Sequence, residues 1–143
     1  TVSGAIDQRN YKLANYIVNN KLSEAVIEFA YQGPLLKLKN GKINFAITGD
    51  IFFNIIRNNS KIEEGNCYQN YILNDGEQID IISTKKSAYG YLAVSAGLEL
   101  EKTWGSYSIN TKAQIGPNDG KKYSINEKIF IKKSSWIFCN FFV

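Results

Sequence analysis

Three places in this sequence set a small hydroxyl beside a glycine: Ser3-Gly4, Thr48-Gly49 and Gly105-Ser106. Glycine tolerates backbone angles and close approaches denied to other residues, so N–H groups at such corners reach an anion or a polarised carbonyl. The same pairs also occur in plain turns. Asp7, Asp50, Asp75, Asp80 and Asp119 are the aspartates from which a general base could come, but no helical or strand spacing pairs them. There are no histidines, which removes every Ser/His, Cys/His or His–metal mechanism from this chain. Cys67 and Cys139 follow no CxxC spacing and read as small buried hydrophobes in a reducing compartment. No GxxxxGK[ST] loop is present, so ATP has no recognisable motif here.

The chain's 143 residues suit one domain with a real core, and 44% apolar content argues against wholesale disorder. The net charge of +4 comes from scattered lysines, paired only at Lys85-Lys86, Lys121-Lys122 and Lys132-Lys133. A nucleic-acid surface would need a denser patch interleaved with aromatics, so no nucleic-acid partner is expected. No stretch approaches the roughly 20 apolar residues of a membrane span, and no basic-then-apolar leader stands at the start. The expectation is no membrane partner and a cytoplasmic location. The chain starts at Thr1 and holds no methionine, which points to a fragment or a processed chain. Its last residues, from Trp136 to Val143, are almost wholly apolar. They read either as a buried strand or as a truncated or frame-shifted end.

The elements that must position these residues are mostly strands. From Asp7 to about Asn19 the spacing of Leu13, Ala14, Ile17 and Val18 predicts a helix, with Tyr11 joining its apolar face. Ser3 or Asp7 caps its start and Asn19-Asn20 stops it. Ala25 to Ala30 forms a strand that ends at Gly33-Pro34. Leu36 and Leu38, then Ile43, Phe45 and Ile47, alternate with polar or small residues on either side of Asn40-Gly41, which predicts a hairpin. Ile51 to Ile56 is another strand, broken by Asn58-Asn59-Ser60. Tyr68 to Leu73 and Gln78 to Ile82 flank Asn74-Asp75-Gly76, a second hairpin-like turn. Tyr89 to Ser95 is apolar enough to be buried on both faces. Thr103 to Tyr123 reads as loop, and Ile125, Ile129 and Ile131 suggest a last strand. Many short strands with one early helix predict a mainly β barrel or sandwich.

Several of these residues, in order, resemble one family. Ser3-Gly4-Ala5-Ile6-Asp7 entering a helix, Leu13-Ala14-Asn15, Glu28 before Gly33-Pro34, Thr48-Gly49, Tyr91-Leu92-Ala93-Val94 leading to Gly97, and Trp104-Gly105-Ser106 are similar to the carboxyltransferase-domain proteins. That family is represented by allophanate hydrolase subunit 2, the C-type component of 5-oxoprolinase and KipA-type proteins. The likeness covers Thr1 to Lys132. Tyr89 and Tyr107 stand where the family usually has arginine, Ile109 where it has threonine, and Asn126-Glu127 where it has Gly-Asp. An arginine fork clamps a carboxylate in two places, and tyrosine does not.

The resemblance implies a cyclophilin-like β-barrel with one helix near the N-terminus, a partial domain of a two-barrel protein. Residues 1–133 would be the incomplete carboxyltransferase-type domain and 134–143 an apolar tail of uncertain origin. It also implies a component of an ATP-dependent amide hydrolase acting on 5-oxoproline or allophanate, with ATP as cofactor. Its partner would be a companion carboxyltransferase-type protein, like allophanate hydrolase subunit 1 or the B-type component of 5-oxoprolinase. Ser3, Asp7 and Thr48 become the catalytic candidates, and Gly4, Gly49, Gly105 and Ser106 the substrate-binding ones. Attack at a planar carbonyl builds charge on oxygen, which oriented N–H groups at such corners stabilise. A KipA-like regulatory module and an inactive remnant are the alternative expectations.

Overall fold

A computed structural model describes residues 7–30, 34–84, 89–98, 124–132 and 135–142. Among them the chain order is α1 (Gln8–Ile17), β1 (Ile27–Ala30), β2 (Leu35–Lys39), β3 (Ile43–Thr48), β4 (Ile51–Ile56), β5 (Ile62–Glu64), β6 (Tyr71–Leu73), β7 (Gln78–Thr84), β8 (Tyr89–Val94), β9 (Ser124–Ile131) and β10 (Ser135–Phe142). All strand pairs are antiparallel. They form a four-stranded sheet, β1-β8-β3-β6, and a six-stranded sheet, β5-β4-β7-β2-β10-β9.

Period-two alternation builds the core between these sheets. Phe29, Phe45, Ile47 and Leu92 from the smaller sheet meet Leu36, Leu38, Phe53, Ile55, Ile79 and Ile81 from the larger one, all essentially inaccessible to water. Each such side chain contributes about 1.5–3 kcal/mol by leaving water. The opposite face of the smaller sheet carries the helix. There Ala14 of α1 and Val18, its C-cap, pack on Ala46, Tyr91 and Ala93. The small residues on both sides let the helix lie close to the sheet.

The mainly β shell with one early helix is as the sequence predicts, and β8 is indeed covered on both faces. The two sheets are stitched at their seams rather than by continuous pairing among the described residues. Leu98 bridges to Ile131, and the Lys132 N–H donates to the Gly97 carbonyl at 3.0 Å. On another side Gly65 N–H donates to Phe53 O and Tyr68 N–H to Ile47 O, so the stretch before β6 crosses between sheets. The strand expected from Tyr68 therefore begins only at Tyr71. Tyr68 itself sits in the left-handed region at φ 64°.

The two predicted hairpins are corrected. Asn40 and Gly41 have the expected positive φ, 65° and 131°. Yet β2 pairs with β7 and β10 while β3 pairs with β6 and β8, so the turn carries the chain from one sheet to the other. Asn74-Asp75-Gly76 does the same between β6 and β7. The physical reason is that the two turns satisfy each other. Asn40 N–H donates to Asp75 Oδ1 at 2.6 Å, Gly76 N–H to Leu38 O at 2.9 Å, and Leu38 N–H to Glu77 O at 3.1 Å. Turn chemistry of this kind fixes backbone angles but not which strands pair. Consecutive strands pair directly only at β4–β5 and β9–β10 among the described residues. The apolar end of the chain forms β10, between β2 and β9, with Ile137 buried. Thr103 to Tyr123, read as loop, lies outside the described residues.

Glu77 holds one corner together. Its Oε1 accepts from Asn74 N–H (2.9 Å), Asn74 Nδ2 (3.1 Å) and Arg57 Nη1 (3.0 Å), and its Oε2 from Asn58 N–H (3.2 Å). Arg57 also reaches the Ile72 carbonyl and Glu63. Burial by itself pushes the Glu77 carboxyl up, but these donors and the guanidinium outweigh it and hold the group below the usual range. Its contribution to stability is therefore complete above about pH 4.5 and is lost as pH falls through its lowered value. Glu77→Ala should cost about 3 kcal/mol in urea unfolding at neutral pH, because it leaves the Asn58 and Asn74 donors unpaired and takes away one of the two carboxylates that hold Arg57. The deficit should shrink as the wild type is titrated to pH 3; a constant deficit would show that the carboxylate is not what holds the corner.

Candidate functional site

Three strands and the helix start converge at one end of the smaller sheet. Glu28 on β1, Tyr91 on β8 and Thr48 on β3 are cross-strand neighbours, since Tyr91 is the register partner of both. Alternation turns all three away from the core and toward α1. Glu28 is 1% exposed, and Tyr91 and Thr48 are fully buried, so each needs a polar partner. The Tyr91 hydroxyl donates to Glu28 Oε2 at 2.5 Å and accepts the Asp7 N–H at 2.8 Å. The Thr48 hydroxyl donates to the Asn10 carbonyl at 2.7 Å. The row thus grips the first turn of α1 at two points.

Asp7 is the N-cap of that helix. Its Oδ1 accepts from Asn10 N–H at 3.1 Å and its Oδ2 from Asn10 Nδ2 at 2.8 Å. The remaining Asn10 atom, Oδ1, accepts from the Tyr68 hydroxyl at 2.8 Å, and that hydroxyl accepts the Gly49 N–H at 3.1 Å. Gly49 has φ 108°, and a Cβ there would come 2.8 Å from the Tyr89 carbonyl, so only glycine fits. Farther along the helix, buried Asn15 donates to the Leu22 and Glu24 carbonyls and accepts from Asn20, which also donates to Val94 O. That makes Asn15 of the Leu-Ala-Asn run a brace for the chain leaving α1. Gly97 is needed for a similar reason: φ is 82°, and the Glu24 carboxylate lies where a Cβ would project, held there by Lys132.

Of the candidates read from the sequence, Asp7, Thr48 and Gly49 are brought together around Asn10, which bonds Asp7 and Thr48 directly and Gly49 through the Tyr68 hydroxyl. Ser3, Gly4, Gly105 and Ser106 lie outside the described residues, as do Tyr107 and Ile109. Asp75 serves the Asn40 corner, and Asp80 lies on β7, opposite Leu35 and Asn54. Asn10 and Tyr68 carried no local signal, because their link spans 58 positions. Glu28 did carry one: it is an acid on the helix-facing side of an otherwise apolar strand. Among the described residues no group of three His, Cys, Asp or Glu could hold a metal. No described helix is long and apolar enough to cross a membrane.

A two-sheet antiparallel shell, braced by a helix over a Glu–Tyr–Thr row and with a hydroxyl–glycine corner at its edge, is the class of protein these elements define. The chain belongs to the carboxyltransferase-domain family: it matches the family described as "Carboxyltransferase domain, subdomain A and B" over residues 1–139. It is 27% identical over 131 residues to urea amidolyase of Lachancea kluyveri, covering 92% of this chain and 7% of that protein. It is 27% identical over 118 residues to the C-type component of 5-oxoprolinase from Haemophilus influenzae, covering 82% of this chain and 37% of that one. Among solved structures, TTHA0988 superposes with a TM-score of 0.60 at 29% identity, over 68% of this chain and 19% of that chain. Urea amidolyase of K. lactis gives 0.62 at 21% identity, over 74% and 6%, and shares the fold. The chain therefore spans little more than a third of the 5-oxoprolinase component and under a tenth of the urea amidolyases.

Burial first, and then the hydrogen bond to Glu28, push the Tyr91 phenol well above its ordinary value near 10. Its contribution is complete below about pH 10 and is lost as pH rises through the raised value, because only the unfolded chain gives up that proton. Tyr91→Phe should cost about 2 kcal/mol in urea unfolding and speed hydrogen exchange at the Asp7 amide. It should also reduce the wild type's loss of stability above about pH 10, leaving the share that comes from Tyr11, whose phenol is likewise pushed up by burial. An unchanged Asp7 exchange rate would mean that the row does not secure the helix.

Proposed function

We propose that this chain is the carboxyltransferase-type part of an ATP-dependent amide-bond hydrolase, similar to the C-type component of 5-oxoprolinase, with allophanate as the alternative substrate. The observation that carries the reading is the convergence of Asp7, Thr48 and Gly49 through Asn10 at one sheet end. The similarity to that 5-oxoprolinase component over 82% of the chain supports the substrate class. In this reading the Gly49 N–H faces the substrate carbonyl. Thr48 is a positioning residue, its buried hydroxyl fixing the helix turn that carries Asn10. Ser3 acts with Asp7 in catalysis, and Gly4, Gly105 and Ser106 are assigned to substrate binding.

Among the described residues, ATP finds no phosphate site at a helix N-terminus. The one helix N-terminus among them is already capped by the Asp7 carboxylate, whose charge repels a phosphate. The reading therefore assigns the nucleotide to a companion protein. The exposure of Phe52, Ile62 and Ile82 on the six-stranded sheet, 51%, 64% and 47%, supports a contact with such a companion there. Cys67 stands as a thiol that donates to the Ile51 carbonyl, which suits a reducing compartment, and the reading sets the assembly in the cytoplasm.

The chain co-expressed with its companion should open 5-oxoproline to glutamate only when ATP is present. Thr48→Val should lower kcat roughly tenfold through misplacement of the helix turn, while the thermal unfolding midpoint shifts by only a few degrees. Assembly without turnover of 5-oxoproline or allophanate would favour the KipA-like regulatory alternative instead.

A further inference from the structure

Tyr68 is odd in three ways at once. It is a bulky residue held at φ 64°, it is 46% exposed, and its hydroxyl nonetheless bridges two fixed polar atoms. Left-handed backbone is unfavourable for a residue of this size. Here the bond from Tyr68 N–H to Ile47 O (2.8 Å) holds it. Strain of this kind marks places where a side chain is aimed at something.

The two atoms it bridges are not free to adapt. Gly49 N–H is fixed by its positive φ and the close Tyr89 carbonyl. Asn10 has its amide nitrogen committed to Asp7 Oδ2 and its backbone N–H to Asp7 Oδ1, so its carbonyl end must face Tyr68. Behind the Tyr68 hydroxyl, then, stand one rigid donor and one rigid acceptor, within two hydrogen-bond lengths of each other.

That pair is the complement of a particular chemical group. A cis amide shows a carbonyl oxygen and an N–H side by side on one edge, the oxygen suited to Gly49 N–H and the N–H to Asn10 Oδ1. A trans amide points them in opposite directions. A small lactam ring is locked in the cis form and pays no isomerisation cost to present that edge. The Tyr68 hydroxyl accepts and donates in the same sense, so it keeps both groups satisfied when no ligand is bound. Because the residue is 46% exposed, its side chain has solvent to rotate into.

We propose that Gly49 N–H and Asn10 Oδ1 form a subsite for the cis-amide edge of a small lactam, and that Tyr68 is its displaceable occupant. The proposal rests on the hydrolase reading only for its choice of lactam as the ligand class. The test is titration of the full chain, ¹⁵N-labelled, with 2-pyrrolidinone and with its N-methyl derivative, which keeps the carbonyl and lacks the N–H. The Gly49 amide signal should move with 2-pyrrolidinone. Tyr68→Phe should reach half-saturation at roughly tenfold lower concentration, as expected when a competing hydrogen bond worth about 1.4 kcal/mol is removed. The N-methyl compound should bind the variant roughly tenfold more weakly than 2-pyrrolidinone, for want of the bond to Asn10. Equal half-saturation in wild type and Tyr68→Phe, an unmoved Gly49 amide, or equal binding of the methylated ring would each overturn the subsite. An unmoved Gly49 in a complex that does open 5-oxoproline would sink this subsite and leave the hydrolase reading intact. A shifted Gly49 in an inactive complex would do the reverse.

Discussion

The arrangement at the sheet end depends on a single buried row. Glu28, Tyr91 and Thr48 lie side by side on three strands, and their polar atoms face a helix rather than water. Buried groups of this kind must be paired or they cost several kcal/mol. Glu28 is paired by the Tyr91 hydroxyl, and Tyr91 and Thr48 are paired by the first turn of α1, through the Asp7 N–H and the Asn10 carbonyl. The need of the row for partners therefore fixes where the helix begins. Asn10 is placed by that contact, and Gly49 at the end of the same strand as Thr48 comes along with it.

The remainder of the shell serves to hold β8 and β3 still. Leu92 and Val94 of β8 face the inter-sheet core while Tyr91 and Ala93 face the helix. Movement of either layer would disturb the other. The corners at Asn40-Gly41 and Asn74-Asp75-Gly76 bond to each other, and Glu77 with Arg57 ties them to the β4–β5 turn. Rigidity at that end comes from hydrogen bonds. At the helix end it comes from small residues packed closely beneath polar ones.

How much was legible in the sequence follows from the range of each interaction. The helix could be read because its apolar spacing and its Asp7 cap are local. So could the strands, from their alternation, and the double burial of β8, from its unbroken apolar run. The pairing could not be read. Asn40-Gly41 looks like a hairpin turn at every level visible in sequence, and the choice to cross between sheets depends on Asp75, 35 positions away. At the candidate site the same limit applies. Asp7, Thr48 and Gly49 stood out through resemblance and residue type. Asn10 and Tyr68, which join them, are an ordinary polar residue and an ordinary aromatic until the fold sets them side by side.

The strand order carries a consequence for how this protein is made. β2 lies between β7 and β10 in the larger sheet, so a strand formed early waits for one formed at the very end of the described chain. During synthesis its edge stays open, with unpaired N–H and C=O groups beside Leu36 and Leu38, until β10 emerges. Topologies dominated by distant pairings fold slowly, and open strand edges invite association with neighbouring nascent chains. For this architecture, the interval between translation of β2 and emergence of β10 is the hazardous one, and holdase-type chaperones would act there.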